Sequence, residues 1–142
     1  MILDTTYLLP LAQIAVDTDL LAAVAKKNTG LKLEDIVVSL ISIFELQAKA
    51  AKLKVPAKST IRAVDAVLSA FRVIPFYEPG VIETAQRIRK IIPDYVDCII
   101  LATAVVSKED LVTEDSIVLE KKEKLLKDHR LKVLNFNDLM SG

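Results

Sequence analysis

Short apolar segments alternate with helical patterns along this chain, and that alternation constrains the fold more than any other feature. The segments are rich in Val, Ile and Leu, which predicts buried β-strands. They span 1–3, 36–38, 73–76, 111–113 and 131–136. Buried strands separated by helices are typical of a parallel sheet that is covered on both faces. The sequence therefore predicts an α/β fold with a central, mainly parallel sheet.

Helices are predicted between these strands from apolar periodicity and from proline, glycine and capping signals. We expect them over 5–15, 17–30, 41–53, 59–71, 79–92 and 94–106, with a weaker segment over 116–127. Thr5 or Thr6 is expected to cap the first helix, and Ser59 the fourth. The strand–helix alternation runs through the whole chain without a linker, which predicts a single domain over 1–142.

Composition excludes several classes of protein. Hydrophobic residues make up 52% of the 142 residues, yet the apolar runs are far shorter than the ~20 residues of a membrane span. A single cysteine, Cys98, excludes a disulfide framework, so we expect a cytoplasmic protein without a membrane partner. The net charge is zero, whereas proteins that bind nucleic acid by charge alone are strongly basic. Any contact with nucleic acid must therefore depend on something other than the net charge of the chain.

Four carboxylates stand out against this apolar background. Asp4 and Asp115 follow the first and fourth predicted strands, and ligands of parallel sheets bind beyond the carboxyl ends of the strands. Glu45 and Asp97 interrupt apolar helices, where an unpaired carboxylate is costly to bury. Lys49 is the one local partner for Glu45, and Asp97 has none. A divalent cation would relieve the repulsion within such a cluster, and oxygen ligands favour Mg²⁺ or Mn²⁺.

These residues lie in four motifs whose order and spacing resemble the PIN-domain nucleases, including the VapC-type toxins. The motifs are Ile-Leu-Asp4-Thr-Thr, Phe-Glu45-Leu, Asp97-Cys-Ile-Ile-Leu-Ala-Thr-Ala and Val-Thr113-Glu-Asp115. The resemblance spans positions 2 to about 118, and the segment 131–139 is similar to the last strand and tail of the family. It implies a three-layer α/β/α fold with a central, mainly parallel sheet.

The resemblance also implies a set of site residues. Asp4, Glu45, Asp97 and Asp115 would form the acidic quartet that catalyses the reaction and binds Mg²⁺ or Mn²⁺. Three further residues would support that site: Thr113 as a hydroxyl that lines it, Thr5 beside the first acid, and Asp94 as a fifth acid. Simpler interpretations stay open, since Asp4, Asp94 and Asp115 are also placed to cap helices, and Glu114 is interpreted as a solvated neighbour.

The implied function is metal-dependent endoribonuclease activity, with the chain as the toxin of a type II toxin–antitoxin pair. RNA would then be the substrate, a small antitoxin the partner, and a homodimer the assembly. Two alternatives are a housekeeping RNA-processing PIN nuclease without an antitoxin and a non-catalytic PIN-like scaffold. The lysines that follow Glu45 are candidates for contact with an RNA backbone, although ordinary solubilising charge is the favoured interpretation. The low aromatic content, 5%, does not indicate recognition by base stacking.

Overall fold

The computed structural model describes residues 1–140, and a five-stranded parallel sheet forms its centre. The strands are β1 (Ile2–Leu3), β2 (Val37–Ser39), β3 (Arg72–Ile74), β4 (Leu111–Val112) and β5 (Val133–Leu134). Their order across the sheet is β3-β2-β1-β4-β5, and each neighbouring pair is parallel. The predicted parallel sheet is confirmed.

Helices connect the strands and pack against both faces of the sheet. A 3₁₀ helix, Thr5–Ala12, follows β1, and a short 3₁₀ turn, Leu33–Asp35, precedes β2. The α-helices are α1 (Leu20–Ala25), α2 (Leu40–Lys52), α3 (Ala57–Ala70), α4 (Pro79–Ile88), α5 (Tyr95–Ser107), α6 (Ser116–Glu120), α7 (Lys122–His129) and α8 (Phe136–Met140).

Alternate side chains of the central strands belong to two separate cores, which explains the three layers. Ile2 and Leu111 face a core built mainly with α4, α5 and the segment that carries α6 and α7. Leu3 and Val112 face the opposite core, which contains the 3₁₀ helix, α1, α2 and α3. Successive strand residues point to opposite faces, so a strand buried on both sides must be apolar throughout. The predicted α/β/α architecture is confirmed.

Local boundaries differ from the prediction at the first, second and fourth helical segments. The first is a 3₁₀ helix rather than a helix over 5–15, and Asp4, not Thr5 or Thr6, is its N-cap. It stops at Gln13, which adopts a left-handed conformation with φ 64°. The second, α1, spans only Leu20–Ala25 of the expected 17–30. The fourth, α3, begins at Ala57 directly after Pro56, two residues before the expected cap Ser59.

The C-terminal third also departs from the prediction. The weak helical segment over 116–127 is two short helices separated at Lys121. The strand predicted over 131–136 is only two residues long, and α8, which was not predicted, follows it. Short elements of this kind are stabilised by packing and carry little periodicity of their own.

Among residues 1–140, no helix has both the length and the apolar character needed to cross a bilayer.

The topology brings the ends of three strands together. β1 lies in the middle of the sheet between β2 and β4. After β1 the chain continues to β2 and β3 on one side, and after β3 it crosses to β4 and β5 on the other side. Such a switch point leaves a crevice at the carboxyl ends of the strands. Asp4 follows β1, α2 follows β2 directly, and Thr113 follows β4. Ser39 is buried at the end of β2 and caps α2, accepting a hydrogen bond from the Ile41 amide at 3.3 Å.

Candidate functional site

A pocket of about 600 Å³ opens at this crevice, and it collects most of the residues singled out in the sequence. The predicted site residues that line it are Asp4, Thr5, Glu45, Asp94, Asp97 and Asp115. The remaining lining residues are Thr6, Leu9, Phe44, Ala48, Lys49, Lys52, Val96 and Glu114. One cavity thus contains side chains from four places in the fold: the end of β1, α2, the start of α5 and the end of β4.

Asp4 is held by two threonines, one through its backbone amide and the other through its hydroxyl. Its Oδ1 accepts a hydrogen bond from the Thr5 amide at 2.7 Å, and its Oδ2 accepts one from Thr113 Oγ1 at 2.7 Å. Thr113 is fully buried, and its Oγ1 also accepts a hydrogen bond from the Asp115 amide at 3.0 Å. Burial raises the pKa of Asp4, while the bonds from Thr113 and Thr5 oppose that rise. Thr113, although outside the pocket lining, links the ends of β1 and β4.

Glu45 is tied to the same network from α2. Its Oε1 accepts a hydrogen bond from Thr5 Oγ1 at 2.6 Å, which connects α2 to the start of the 3₁₀ helix. Burial raises the pKa of Glu45, and the charges of Asp4 and Asp94 add to that rise. Lys49, the local partner considered in the sequence, lowers the pKa of Glu45 weakly and forms no ion pair within 4.0 Å among residues 1–140.

The pKa of Asp97 in the pocket is strongly perturbed. It lies in the first turn of α5 and is partly buried. Burial, together with repulsion from Asp4, Asp94, Asp115 and Glu45, raises its pKa to about 7. Its carboxylate accepts no hydrogen bond from any residue in the range 1–140, so nothing there compensates its charge. A partly buried carboxylate without such compensation is costly, and a cation would offset that cost.

Asp94 and Asp115 both cap helices and line the pocket. Asp94 caps α5, with Oδ1 accepting hydrogen bonds from the Val96 and Asp97 amides at 2.9 and 3.3 Å. Asp115 caps α6, with Oδ1 accepting one from the Val118 amide at 3.0 Å. The capping interpretation of both residues is therefore correct. Capping occupies Oδ1 and leaves the second carboxylate oxygen of each residue for another role.

Sequence reasoning missed the role of Glu114. The expected solvated neighbour is instead partly buried, and its Oε2 accepts hydrogen bonds from the Tyr7 hydroxyl and from the Phe136 amide, the latter at 2.8 Å. Glu114 thus connects the 3₁₀ helix, the loop after β4 and α8 beside Asp115. Burial and the charge of Glu114 raise the pKa of Tyr7. Tyr7 and Glu114 are 107 positions apart, and no local pattern signals such a pairing.

Replacing Tyr7 with phenylalanine tests this connection. Tyr7 is fully buried, so the ring should remain packed while Glu114 loses one donor. Hydrogen bonds to charged groups contribute more than neutral ones, and we expect a loss of ~1–2 kcal/mol in the free energy of unfolding. Urea denaturation followed by circular dichroism measures it. Tyr77→Phe, at a side chain 63% exposed, is the matched control and should change stability by less than about 0.5 kcal/mol. Equal midpoints for both variants would contradict the assignment.

The donor chemistry of the pocket fits a hard divalent cation. Asp4, Glu45, Asp97 and Asp115 offer only carboxylate oxygens, the ligands that Mg²⁺ and Mn²⁺ prefer. As the side chains of residues 1–140 stand, no three His, Cys, Asp or Glu residues form a ready ligand set. Glu45, Asp4 and Asp115 each accept a hydrogen bond, from Thr5, Thr113 and Val118 respectively. The residues that line the pocket thus match such a cation in the kind of donor they offer.

The comparison with protein families decides the identity of the fold. A family model described as the PIN domain matches residues 1–125. The chain belongs to the PIN domain family. The resemblance seen in the four sequence motifs is confirmed, and the five-stranded parallel sheet described above is the PIN-like α/β/α fold. No curated protein sequence gives a significant match to this PIN domain.

Solved structures similar to this PIN domain include toxin–antitoxin proteins. A toxin–antitoxin complex from Klebsiella pneumoniae is 25% identical, covers 81% of this chain and 86% of its own, and has a TM-score of 0.62. FitAcB from Neisseria gonorrhoeae is 24% identical over 97% of this chain and 99% of its own, with a TM-score of 0.69. VapBC2 from Rickettsia felis, bound to a promoter DNA fragment, is 22% identical over 94% and 96%, with a TM-score of 0.65. At these identities, the likeness establishes the shared fold.

Proposed function

We propose that this PIN domain is a metal-dependent endoribonuclease that hydrolyses RNA phosphodiester bonds at the acidic pocket. The observation that carries the proposal is the convergence of Asp4, Glu45, Asp97 and Asp115 on one cavity from four segments of the chain. Membership of a nuclease family supports it. The perturbed pKa of Asp97 supports it as well, since such groups concentrate at functional sites.

Asp4, Asp97 and Asp115 would hold one or two Mg²⁺ or Mn²⁺ ions, and Glu45 would complete the ligand shell. A bound ion of this kind supplies water activation and stabilises the negative charge that develops on the phosphate and the leaving oxygen. Thr113 and Thr5 orient Asp4, because they bond to its two oxygens, and Thr5 also orients Glu45. Asp97 has no competing hydrogen bond within residues 1–140 and is free to turn toward a cation. Asp94 would add negative charge at the rim.

We also propose that the chain is the toxin of a toxin–antitoxin pair. The Klebsiella pneumoniae relative is a toxin–antitoxin complex, and it covers most of this chain. A small antitoxin would then be the partner, and homodimerisation stays a prediction. The exposed apolar side chains Ile61 and Leu68 leave surface for either contact. A housekeeping nuclease would share the same pocket, whereas a scaffold has no use for four clustered acids, which destabilise the fold.

Cleavage of RNA with and without metal tests the proposal. With Mg²⁺ or Mn²⁺ present, we expect the purified protein to cut single-stranded RNA to products with a 5′-phosphate and a 3′-hydroxyl. EDTA should abolish cleavage, and excess Mn²⁺ should restore it, because the carboxylates alone lack a group to neutralise the scissile phosphate. Mass spectrometry of the products identifies the ends. Cleavage that persists unchanged in EDTA would refute the role of the metal.

A further inference from the structure

Helix α2 presents to the pocket a face that carries an aromatic ring and two lysines in addition to Glu45. Phe44, Ala48 and Lys52 are spaced by four residues and therefore lie in a row along the helix. Lys49 lies one turn after Glu45, in the neighbouring row. At 1.5 Å of rise per residue, Phe44 and Lys52 are separated by roughly 12 Å along the axis. We call Phe44, Lys49 and Lys52 the α2 ridge.

The α2 ridge is exposed, and its charges are uncompensated. The Phe44 side chain is 64% exposed although most of the residues that line the pocket are polar or charged. Neither lysine has a carboxylate within 4.0 Å in the part of the chain described. Lys49 nevertheless lies near enough to lower the pKa of Asp4 and Glu45, which places its charge beside the acidic cluster. These are unpaired cations next to an uncovered aromatic ring, at the edge of the candidate catalytic site.

We propose that the α2 ridge binds the single-stranded RNA that flanks the scissile phosphodiester, with Phe44 stacking on a base and Lys49 and Lys52 contacting phosphates. The inference rests on the proposed nuclease function and adds the residues that recognise the substrate. A polyanion must approach a cluster of carboxylates in a chain of zero net charge, so local cations at the pocket rim are needed to offset the repulsion. RNA offers both a negative backbone and ring faces, which match the two residue types of the ridge.

Single-stranded RNA satisfies this arrangement better than a duplex. Bases in a duplex are stacked on each other, whereas unpaired bases can be splayed onto an aromatic side chain. The stacking is tolerant of sequence, because every base has a π-face. The ridge therefore predicts a preference for unpaired regions with little dependence on the identity of the base.

Equilibrium binding separates the aromatic and cationic contributions. The probe is a short end-labelled single-stranded RNA, bound in the Asp97→Asn background to prevent cleavage and followed by fluorescence anisotropy over a range of KCl concentrations. Phe44→Ala should weaken binding on the order of tenfold at every KCl concentration, since stacking is not a charge effect. Lys52→Gln should reduce the magnitude of the slope of log K against log [KCl] by about 0.7, the value for one lost contact to a single strand.

Two control variants lie outside the pocket. Ile61→Ala removes an apolar side chain of α3 that is 60% exposed, close to the 64% of Phe44. Lys108→Gln removes a lysine at the opposite end of α5 from Asp97. Both should leave affinity and slope unchanged. If Phe44→Ala binds within about twofold of its parent and Lys52→Gln keeps the full slope, the inference is wrong. The exposed ridge would then be interpreted as a contact surface for a protein partner.

Cleavage kinetics of the ridge variants, with Asp97 intact, distinguish this inference from the proposed function. Phe44→Ala and Lys52→Gln should raise KM several-fold and leave kcat within about twofold, because they weaken binding of substrate and transition state alike. Normal cleavage with unchanged KM in both variants overturns the inference alone. Absence of cleavage by the unaltered protein, with the expected binding changes, overturns the proposed function and supports the RNA-binding ridge.

Discussion

Replacement of Asp97 with asparagine is expected to reduce RNA cleavage by a factor on the order of 10³. Loss of a group that only orients a metal ligand costs roughly 10- to 100-fold, and loss of a ligand itself should cost more. Asparagine keeps the size of the side chain and removes the charge, and its amide is a weaker donor to a hard cation. Initial rates on single-stranded RNA at saturating Mn²⁺ measure the effect.

The matched control is Asp65→Asn, at an exposed position of α3 outside the pocket. It makes the same chemical change and should leave the rate within about twofold, as expected for a surface substitution. Circular dichroism establishes that both variants are folded. Equal rates for Asp97→Asn and the unaltered protein would remove the acidic pocket from consideration as the catalytic centre.

The stability of the metal-free protein is expected to fall as pH rises from about 4 to 7. Asp97 has an ordinary pKa of 3.8 and a folded-state pKa of about 7. Between these values the folded chain keeps a proton that the unfolded chain releases, so the free energy of unfolding decreases with pH. One pKa unit corresponds to ~1.4 kcal/mol. Asp97 is partly solvent-exposed, so we expect a total loss of only ~2 kcal/mol after screening.

A divalent cation should reverse that loss. At an Mn²⁺ concentration 100-fold above its dissociation constant, binding adds ~2.7 kcal/mol. In a domain of this size that is a rise in Tm of roughly 8 °C. The gain should be larger at pH 8 than at pH 5.5, because protons compete with the cation for the carboxylates. Differential scanning fluorimetry at both pH values, with EDTA or Mn²⁺, measures it.

Asp97→Asn provides the internal comparison for both effects. Without metal at pH 8 the variant should be more stable than the unaltered protein, since it removes the repelled charge. It should also gain much less from Mn²⁺. An equal rise in Tm for the variant would mean that the cation binds elsewhere, and a metal-free stability independent of pH would contradict the burial of the Asp97 charge.

The parallel sheet and the acids that line the pocket could be predicted because their signals are local or compositional. A strand buried on both faces must be apolar at every position, and the segments around Ile2, Val37 and Leu111 show this directly. Asp97 interrupts an apolar helix without a nearby basic residue, so its neighbours along the chain are enough to mark it as unusual. The convergence of Asp4 and Asp115 followed from the rule for strand ends.

The elements that were predicted poorly depend on distant contacts. Asp4 caps the 3₁₀ helix with its Oδ1, which accepts from the Thr5 amide. Its Oδ2 is held by the hydroxyl of Thr113, 109 positions away. The two-residue strand β5 and the short helix α8 have too few residues for a periodic pattern. α8 is tied to the rest of the fold by the bond between the Phe136 amide and Glu114.

The sequence by itself determined the five strands and most of the helices between them, the apolar faces that bury the sheet, and four carboxylates that stand out from their apolar surroundings. Only the tertiary structure decided that Thr113 bridges Asp4 and Asp115, that Glu114 accepts from Tyr7 and Phe136, and that Phe44, Lys49 and Lys52 border the same pocket. The physical reason is that periodicity and burial follow from neighbouring residues. The hydrogen bonds and the lining of the pocket instead depend on residues that are far apart in the sequence and come together only in the folded chain.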